Sequence, residues 1–295
     1  LRSNQFCNLT EVNSSDVYTQ EELNARVRAG AFIGTLQAGY TDFHYLRDVW
    51  KHNSEDESLI GVGITGIASG GILNLNISEA ALEVNKENER VAKIIGINAA
   101  ARTTCIKPSG STSCVVGSSS GIHAWHSDYY IRRVRVGKQE ALYKYLIANI
   151  PELVEDCIFK PHIEAVVSIP QKAPEGSVTR SESTENLLER VKKFNTQWVA
   201  TGHRSGTQNH NVSCTVSIKD DEWESVGNWM WENRDNYTGI SVLPFSDHTY
   251  KQAPFEDCDE ETFLAMFNLL KDVDLSNVIE NEDNTNLTDQ AACAG

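Results

Sequence analysis

The sequence contains no run of about 18 apolar residues and no signal peptide, so it predicts neither a membrane-spanning helix nor export. It also lacks a GxxxxGK[ST] motif, CxxC pairs and Cys/His zinc spacing. Basic residues are scarce, since 26 Lys and Arg stand against 41 Asp and Glu, for a net charge of -15. This deficit argues against binding to nucleic acid or an anionic membrane, although one local cluster suffices for a small anion.

The cysteines form no recognisable disulfide framework. There are seven, an odd number in a chain without a signal peptide, which favours a reducing compartment. We therefore expect a cytoplasmic protein. Five of the cysteines belong to no motif and are interpreted as structural residues: Cys105, Cys114, Cys157, Cys214 and Cys258.

The 295 residues have an ordinary globular composition, with 40% hydrophobic and 23% charged residues. Period-two patterns predict strands at 7–12, 59–67, 129–136, 165–169, 211–218 and 239–245. Helical periodicity predicts helices at 19–39, 78–102, 138–149, 183–200, 220–233 and 260–273. This alternation is typical of an α/β fold with parallel strands and crossover helices. The polar, acidic segment 276–295 predicts a flexible tail.

The stretch 103–126, TTCIKPSGSTSCVVGSSSGIHAWH, is the most informative part of the chain. A short buried strand at 104–106 is broken by Lys107-Pro108-Ser109-Gly110, and three hydroxyl residues follow. Hydroxyls and backbone N–H groups at such a turn can converge on one anion, which favours a phosphate-binding loop. An ordinary Ser/Gly-rich loop is the alternative.

Five stretches in order resemble the adenosylcobalamin-dependent (class II) ribonucleotide reductases, especially the ribonucleoside-triphosphate type. The central one is KPSGSTS followed by GIHAWHSDYYIRRVRV, and CNLTEV, IGVGITGIAS and TGISVLPFSDHTYKQAPFED match in the same order. The terminal Ala292-Cys293-Ala294-Gly295 is similar to the start of the family's redox tail. Together these stretches cover almost the whole chain.

The resemblance implies a fold and a missing partner. The family fold is a ten-stranded α/β barrel of two five-stranded parallel halves, with the radical cysteine on a finger loop between them. This chain is similar to the second half, with about five parallel strands and crossover helices. We therefore expect a half-barrel at 1–275 and a truncated redox tail at 276–295. The radical cysteine, its glutamate and the second redox cysteine would lie in an N-terminal half that acts as a partner.

The resemblance also implies the site residues. Cys7 matches one of two cysteines that become a disulfide during reduction, whereas a buried strand cysteine is the structural alternative. Cys293 matches the first thiol of the tail that re-reduces this disulfide. His123 is a candidate contact to cofactor or nucleotide, with packing as the alternative. The substrate phosphates would be held by Ser109, Gly110, Ser111, Thr112 and Ser113.

The implied activity is reduction of ribonucleoside triphosphates to deoxyribonucleotides for DNA synthesis, by thiyl-radical chemistry with adenosylcobalamin and a thioredoxin-like reductant. The chain alone would be inactive in this reaction. One alternative is a non-catalytic module that binds nucleotide phosphates and derives from the same barrel. Another is an unrelated phosphate-binding α/β enzyme. No metal site formed by protein side chains and no nucleic-acid or membrane partner is expected.

Overall fold

A computed structural model of the chain describes residues 1–246 and 250–279. The strands are β1 (Asn8–Asn13), β2 (Ile60–Thr65), β3 (Tyr129–Gly137), β4 (Val154–Asp156), β5 (Glu164–Lys172), β6 (Thr215–Ile218), β7 (Ser241–Pro244) and β8 (Phe255–Asp257). The helices are α1 (Gln20–Ala38), α2 (Asp48–Glu57), α3 (Ile77–Ile95), α4 (Ser111–Val115), α5 (Ala141–Asn149), α6 (Thr184–Phe194), α7 (Trp223–Glu232) and α8 (Glu260–Leu270). Within these residues the chain forms two compact units, residues 1–125 with 175–245, and residues 126–174 with the part after 245.

The first unit is built on parallel strand pairing. β1 pairs with β2, and β6 pairs with β7, both in parallel. Two irregular segments join these pairs, because the Val62 N–H donates to the Thr103 carbonyl at 2.8 Å and the Ile106 N–H donates to the Asn211 carbonyl at 3.0 Å. Parallel pairing therefore joins five segments in chain order: β1, β2, 103–106, the segment 211–218 that contains β6, and β7.

Sequence signals explain the helices that pack against these strands. Thr19 caps α1 through a reciprocal capping box with Glu22, as the Thr-x-x-Glu spacing predicts. The expected helix at 78–102 is shorter, because Gly96 adopts a left-handed conformation (φ 74°) and ends α3 after Ile95. Trp198 is fully buried and its indole N–H lies 3.2 Å from the Val62 carbonyl and 3.1 Å from the Cys105 carbonyl.

The second unit corrects the expectation of parallel strands for residues 129–172. Its sheet has the order β4-β5-β3-β8, and β3 pairs antiparallel with both β5 and β8. β3, α5 and β4 do form a crossover, since β4 and β3 are both antiparallel to β5 and so run in the same direction. The chain then reverses and inserts β5 between them, a step that hydrophobic periodicity does not encode.

Candidate active site

The candidate reactive side chains of the first unit lie on one face of β1, called here its inner face. Side chains alternate along a strand, so Cys7, just before β1, shares a face with Leu9 and Glu11. The facing positions of β2 are Gly61 and Gly63, which have no side chains to fill the space. A Cβ at Gly61 would lie 2.6 Å from Leu9 Cδ2, and one at Gly63 would lie 2.4 Å from Glu11 Oε2. The glycines of GVG therefore make room for the side chains of β1.

Two adjoining cavities open on this face. The first, about 240 Å³, is lined by Leu9, Thr10, Glu11, Gly61, Cys105, Lys107, Pro108, Ser109 and Thr112. The second, about 170 Å³, is lined by Leu1, Cys7, Leu9, Cys105, Lys107, Asn209, His210 and Asn211. They share Leu9, Cys105 and Lys107, so the hydroxyl-rich loop and the Cys7 thiol lie at opposite ends of one depression.

Thr65, the last residue of β2, fixes the hydroxyl-rich loop. Its hydroxyl lies 2.6 Å from Ser109 Oγ, donates to the Ser119 carbonyl at 2.8 Å and accepts from the Gly121 N–H at 2.9 Å. The Ser109 N–H in turn donates to Ser120 Oγ at 3.0 Å. Ser109 and residues 119–121 of the central stretch are therefore both tied to the buried side chain of Thr65.

The loop itself presents hydroxyls at the start of the short helix α4. Gly110 has a positive φ of 51° before Ser111, a backbone region that favours glycine. Ser111 and Thr112 are exposed, whereas Ser113 is buried and donates to the Gly110 carbonyl at 2.7 Å. Ser111 and Thr112 can therefore face a ligand, while Ser109 and Ser113 hold the loop in shape.

Cys7 lies beside a histidine at the other end of the depression. Its Sγ is 3.7 Å from His210 Nε2, and His210 Nδ1 is 3.1 Å from the Thr104 carbonyl oxygen. Burial raises the pKa of the Cys7 thiol to about 11 and lowers the pKa of His210 to about 4. Both groups are therefore neutral near pH 7.

The Glu11 carboxyl group lies in surroundings that do not stabilise its negative charge. Its Oε1 is buried and has no hydrogen-bond partner among the residues that the structure describes. Burial raises the pKa of Glu11 to about 7, because the ionised form loses its hydration. Near pH 7 the protonated and ionised forms of this side chain are therefore both populated.

Comparison with known proteins identifies relatives of this arrangement, although no family model matches the chain. A probable adenosylcobalamin-dependent ribonucleoside-triphosphate reductase of Dictyostelium discoideum is 28% identical over 93% of this chain and 36% of its own length. The Lactobacillus acidophilus reductase is 26% identical over 100% of this chain and 43% of its own. The crystal structure of a B12-dependent (class II) ribonucleotide reductase superposes with a TM-score of 0.79 and 20% identity, over 94% of this chain and 42% of that one.

The chain resembles class II ribonucleotide reductases over most of its length. The resemblance drawn from the five motifs is thereby confirmed, and the structural match supports the α/β fold. The chain spans about two fifths of the length of the reductases it matches.

The predicted reductase site residues fall into three groups. Cys7 lines the smaller cavity, and Ser109 and Thr112 line the larger one. Gly110, Ser111 and Ser113 belong to the same loop but line neither cavity, and the roles of Cys7 and of the loop stay predictions. His123 lies elsewhere in the first unit: the Thr215 N–H donates to its Nε2 at 3.1 Å, and its Nδ1 lies 3.1 Å from the Ser120 carbonyl. These bonds give His123 a packing role, and a contact with cofactor or nucleotide stays a prediction. Cys293 lies outside the described residues.

Sequence reasoning missed four residues in and beside the two cavities. Thr65 and Glu11 lie within the motifs quoted above, but the sequence analysis assigns neither of them a role. The alternation of side chains along β1 does predict that Glu11 shares a face with Cys7. Cys105 was interpreted as structural, and it is indeed buried, yet it lines both cavities. His210 carried no local signal, because 203 positions separate it from Cys7.

Among residues 1–246 and 250–279, no helix is both long and apolar enough to span a membrane. In the same part of the chain, no group of three or more His, Cys, Asp or Glu side chains is placed to hold a metal ion.

Proposed function

We propose that this chain is the nucleotide-binding part of a class II ribonucleotide reductase, corresponding to the second half of the ten-stranded barrel. Two lines support it: the relatives are named as ribonucleoside-triphosphate reductases, and five parallel segments follow one another in the first unit. The observation that carries the proposal is that the Cys7 thiol and the hydroxyl-rich loop flank one continuous depression.

In this proposal each end of the depression has one task. Thr112 on the wall of the larger cavity and the exposed Ser111 next to it in the chain bind the phosphates of a ribonucleoside triphosphate by donating hydrogen bonds, and Lys107, which lines the same cavity as Thr112, adds positive charge. Cys7 lies across the shared cavity wall, where the ribose would reach it. Its thiol supplies one of the two reducing equivalents and becomes half of a disulfide. The second thiol and the radical cysteine come from an N-terminal part of the enzyme.

The two outer strands of the parallel run, β1 and β7, support a missing partner, because each has an edge that no described strand pairs with. β1 pairs only with β2 among the described strands, and Leu9 on its inner face is 45% exposed. At the other end of the parallel run, Leu243 of β7 is 54% exposed. Unpaired edges and exposed apolar side chains are a liability unless another chain segment covers them. We propose that the N-terminal half of the barrel does so.

The relatives are adenosylcobalamin-dependent, which supports the same cofactor for the assembled enzyme. Cavities of about 240 and 170 Å³ suit a phosphate or a ribose, and they are smaller than drug-sized ligand sites. They do not form a cradle for a corrin ring. We therefore assign cobalamin binding to the assembled enzyme, and the role of this chain is to bind the nucleotide and hold one redox thiol. Re-reduction by a thioredoxin-like reductant through Cys293, in the cytoplasm, belongs to the same proposal.

The test combines binding with turnover. Calorimetry on this chain should detect a ribonucleoside triphosphate and should not detect the corresponding nucleoside. With the N-terminal part of the enzyme, adenosylcobalamin and dithiothreitol, we expect deoxynucleotide product that is lost in Cys7→Ser and kept in Cys114→Ser, whose thiol is exposed. Triphosphate binding without product in the complete mixture would instead establish the non-catalytic binding module.

A further inference from the structure

We propose that His210 is the proton acceptor for the Cys7 thiol whenever that thiol enters a disulfide. The inference rests on the proposed redox role of Cys7, but the pair itself lies entirely within this chain. The two side chains are 203 positions apart in sequence and 3.7 Å apart at Sγ and Nε2. Both line the smaller cavity, so the sulfur is reachable by a small thiol or disulfide.

The hydrogen bond at the far side of the ring fixes which nitrogen can accept a proton. His210 Nδ1 lies 3.1 Å from the Thr104 carbonyl oxygen, and a carbonyl oxygen can only accept. Nδ1 therefore carries the proton of the neutral ring. Nε2 then has a free lone pair, so the contact at 3.7 Å is a Cys7 S–H donating to Nε2. The imidazole is oriented as a base towards the thiol.

Burial keeps the pair neutral at rest, while the cationic side chains around it affect the two groups in opposite senses. Arg102 and Lys107 act against a positive charge on His210, and the same side chains favour a negative charge on Cys7. Cys105 lines the same cavity as a second neutral thiol. The resting state is thus a thiol and an imidazole, and a proton crosses between them only when the sulfur forms a new bond.

The step balances without any further oxidant when a disulfide is the reaction partner. The Cys7 sulfur bonds to one sulfur of the disulfide, and the S–S bond of the partner breaks. The Cys7 proton moves to His210 Nε2, and the leaving thiolate then takes it from the ring. In the reverse direction the same nitrogen passes a proton from an incoming thiol to the Cys7 sulfur as the Cys7 disulfide is reduced.

The experiment measures the exchange of Cys7 with bis(2-hydroxyethyl) disulfide between pH 6 and pH 9, with the modified Cys7 peptide quantified by mass spectrometry. A thiol that reacts only as its free thiolate slows tenfold for each pH unit below its pKa. His210 is neutral throughout this range, so we expect the wild-type rate to level off below about pH 7. At pH 6 we expect the variants without the base to react at least tenfold more slowly.

Two variants remove the base while each keeps a polar group near one of the two ring nitrogens. His210→Asn keeps an N–H near Nδ1 for the Thr104 carbonyl, and His210→Gln keeps a polar group near Nε2, but neither can accept the proton. Wild-type and variant profiles that both fall tenfold per unit would overturn the proposal. If a variant does not fold, the wild-type profile decides, because an unbroken tenfold slope from pH 9 to pH 6 contradicts a neutral base. The exchange assay contains no nucleotide, so its outcome does not depend on whether the chain acts in ribonucleotide reduction. Failure of the reductase proposal would appear instead as the absence of deoxynucleotide product in the turnover assay.

Discussion

The hydroxyl-rich loop and the inner face of β1 differ in how completely their polar groups are satisfied. In the loop, the Thr65 hydroxyl makes three hydrogen bonds, and Ser109 and Ser113 are bonded within the loop. On the inner face of β1, Glu11 Oε1 has no partner in the described residues, and Cys7, just before the strand, has a long contact to His210. A bound phosphate requires donors that are already positioned, whereas reacting groups must be able to change protonation and partners. The loop is accordingly built for binding and the inner face of β1 for chemistry.

The largest test of this comparison is Thr65→Val, which keeps the shape and removes the hydroxyl. The buried Gly121 N–H and Ser109 Oγ each lose a partner, so we expect a loss of about 2–4 kcal/mol in the free energy of unfolding. Triphosphate affinity should fall at least tenfold, because the loop is no longer tied to β2. Urea unfolding and calorimetry measure the two effects. Thr65→Ser is the control and should keep most of both, so equal stabilities of the Val and Ser variants would contradict the role of the hydroxyl.

On the inner face of β1 the corresponding test is Glu11→Gln, and its effect depends on pH. Burial raises the pKa of Glu11 from its ordinary 4.5 to about 7, so the folded chain holds a proton that the unfolded chain releases. The stability that this proton contributes is complete below pH 4.5 and is lost as the pH rises through 7. Relative to wild type, Glu11→Gln should therefore gain stability across this window, by at most about 3 kcal/mol.

Urea unfolding of both proteins at pH 5, 6, 7 and 8 checks the Glu11 prediction. The exposed Glu21→Gln on α1 gives the baseline for removing one surface carboxylate. A stability difference between Glu11→Gln and wild type that stays constant with pH would show that Glu11 is compensated in solution. That result would remove one of the two contrasts between the loop and the inner face of β1.

The sequence allowed more of the loop end to be predicted than of the thiol end. Pro108, Gly110 and a run of hydroxyl residues are adjacent in the chain, so their local chemistry already indicates a turn that can face an anion. Cys7 was assigned through the family resemblance alone. Its neighbours His210 and Cys105 come from distant segments, and only the parallel pairing of 103–106 and 211–213 brings them to β1. Long-range pairing of this kind leaves no periodic signal in the chain.

The fold shows the same division between local and long-range information. The Thr19 cap and the alternation in β1 were readable because each depends on residues a few positions apart. The antiparallel insertion of β5 was not, since β3 and β5 have patterns that suit either direction of pairing. Glycines inside a strand, as at 61 and 63, indicate a close approach, but what approaches them depends on the register of β1 against β2.

The register of β1 against β2 also leads to the prediction with the smallest expected effect, which concerns the stability of Gly61→Ala, opposite the inner face of β1. The added methyl would lie 2.6 Å from Leu9 Cδ2, 2.9 Å from Cys105 Sγ and 3.3 Å from Cys7 Sγ, so these side chains must move. We expect a loss of about 1–3 kcal/mol in the free energy of unfolding, typical of an overpacked site. Gly34→Ala in α1 is the matched control, because its nearest neighbour lies at an ordinary 3.5 Å and alanine favours the helix by up to about 1 kcal/mol. Urea unfolding compares them, and equal stabilities would mean that the inner face of β1 has free space and that Cys7 is not held against β2.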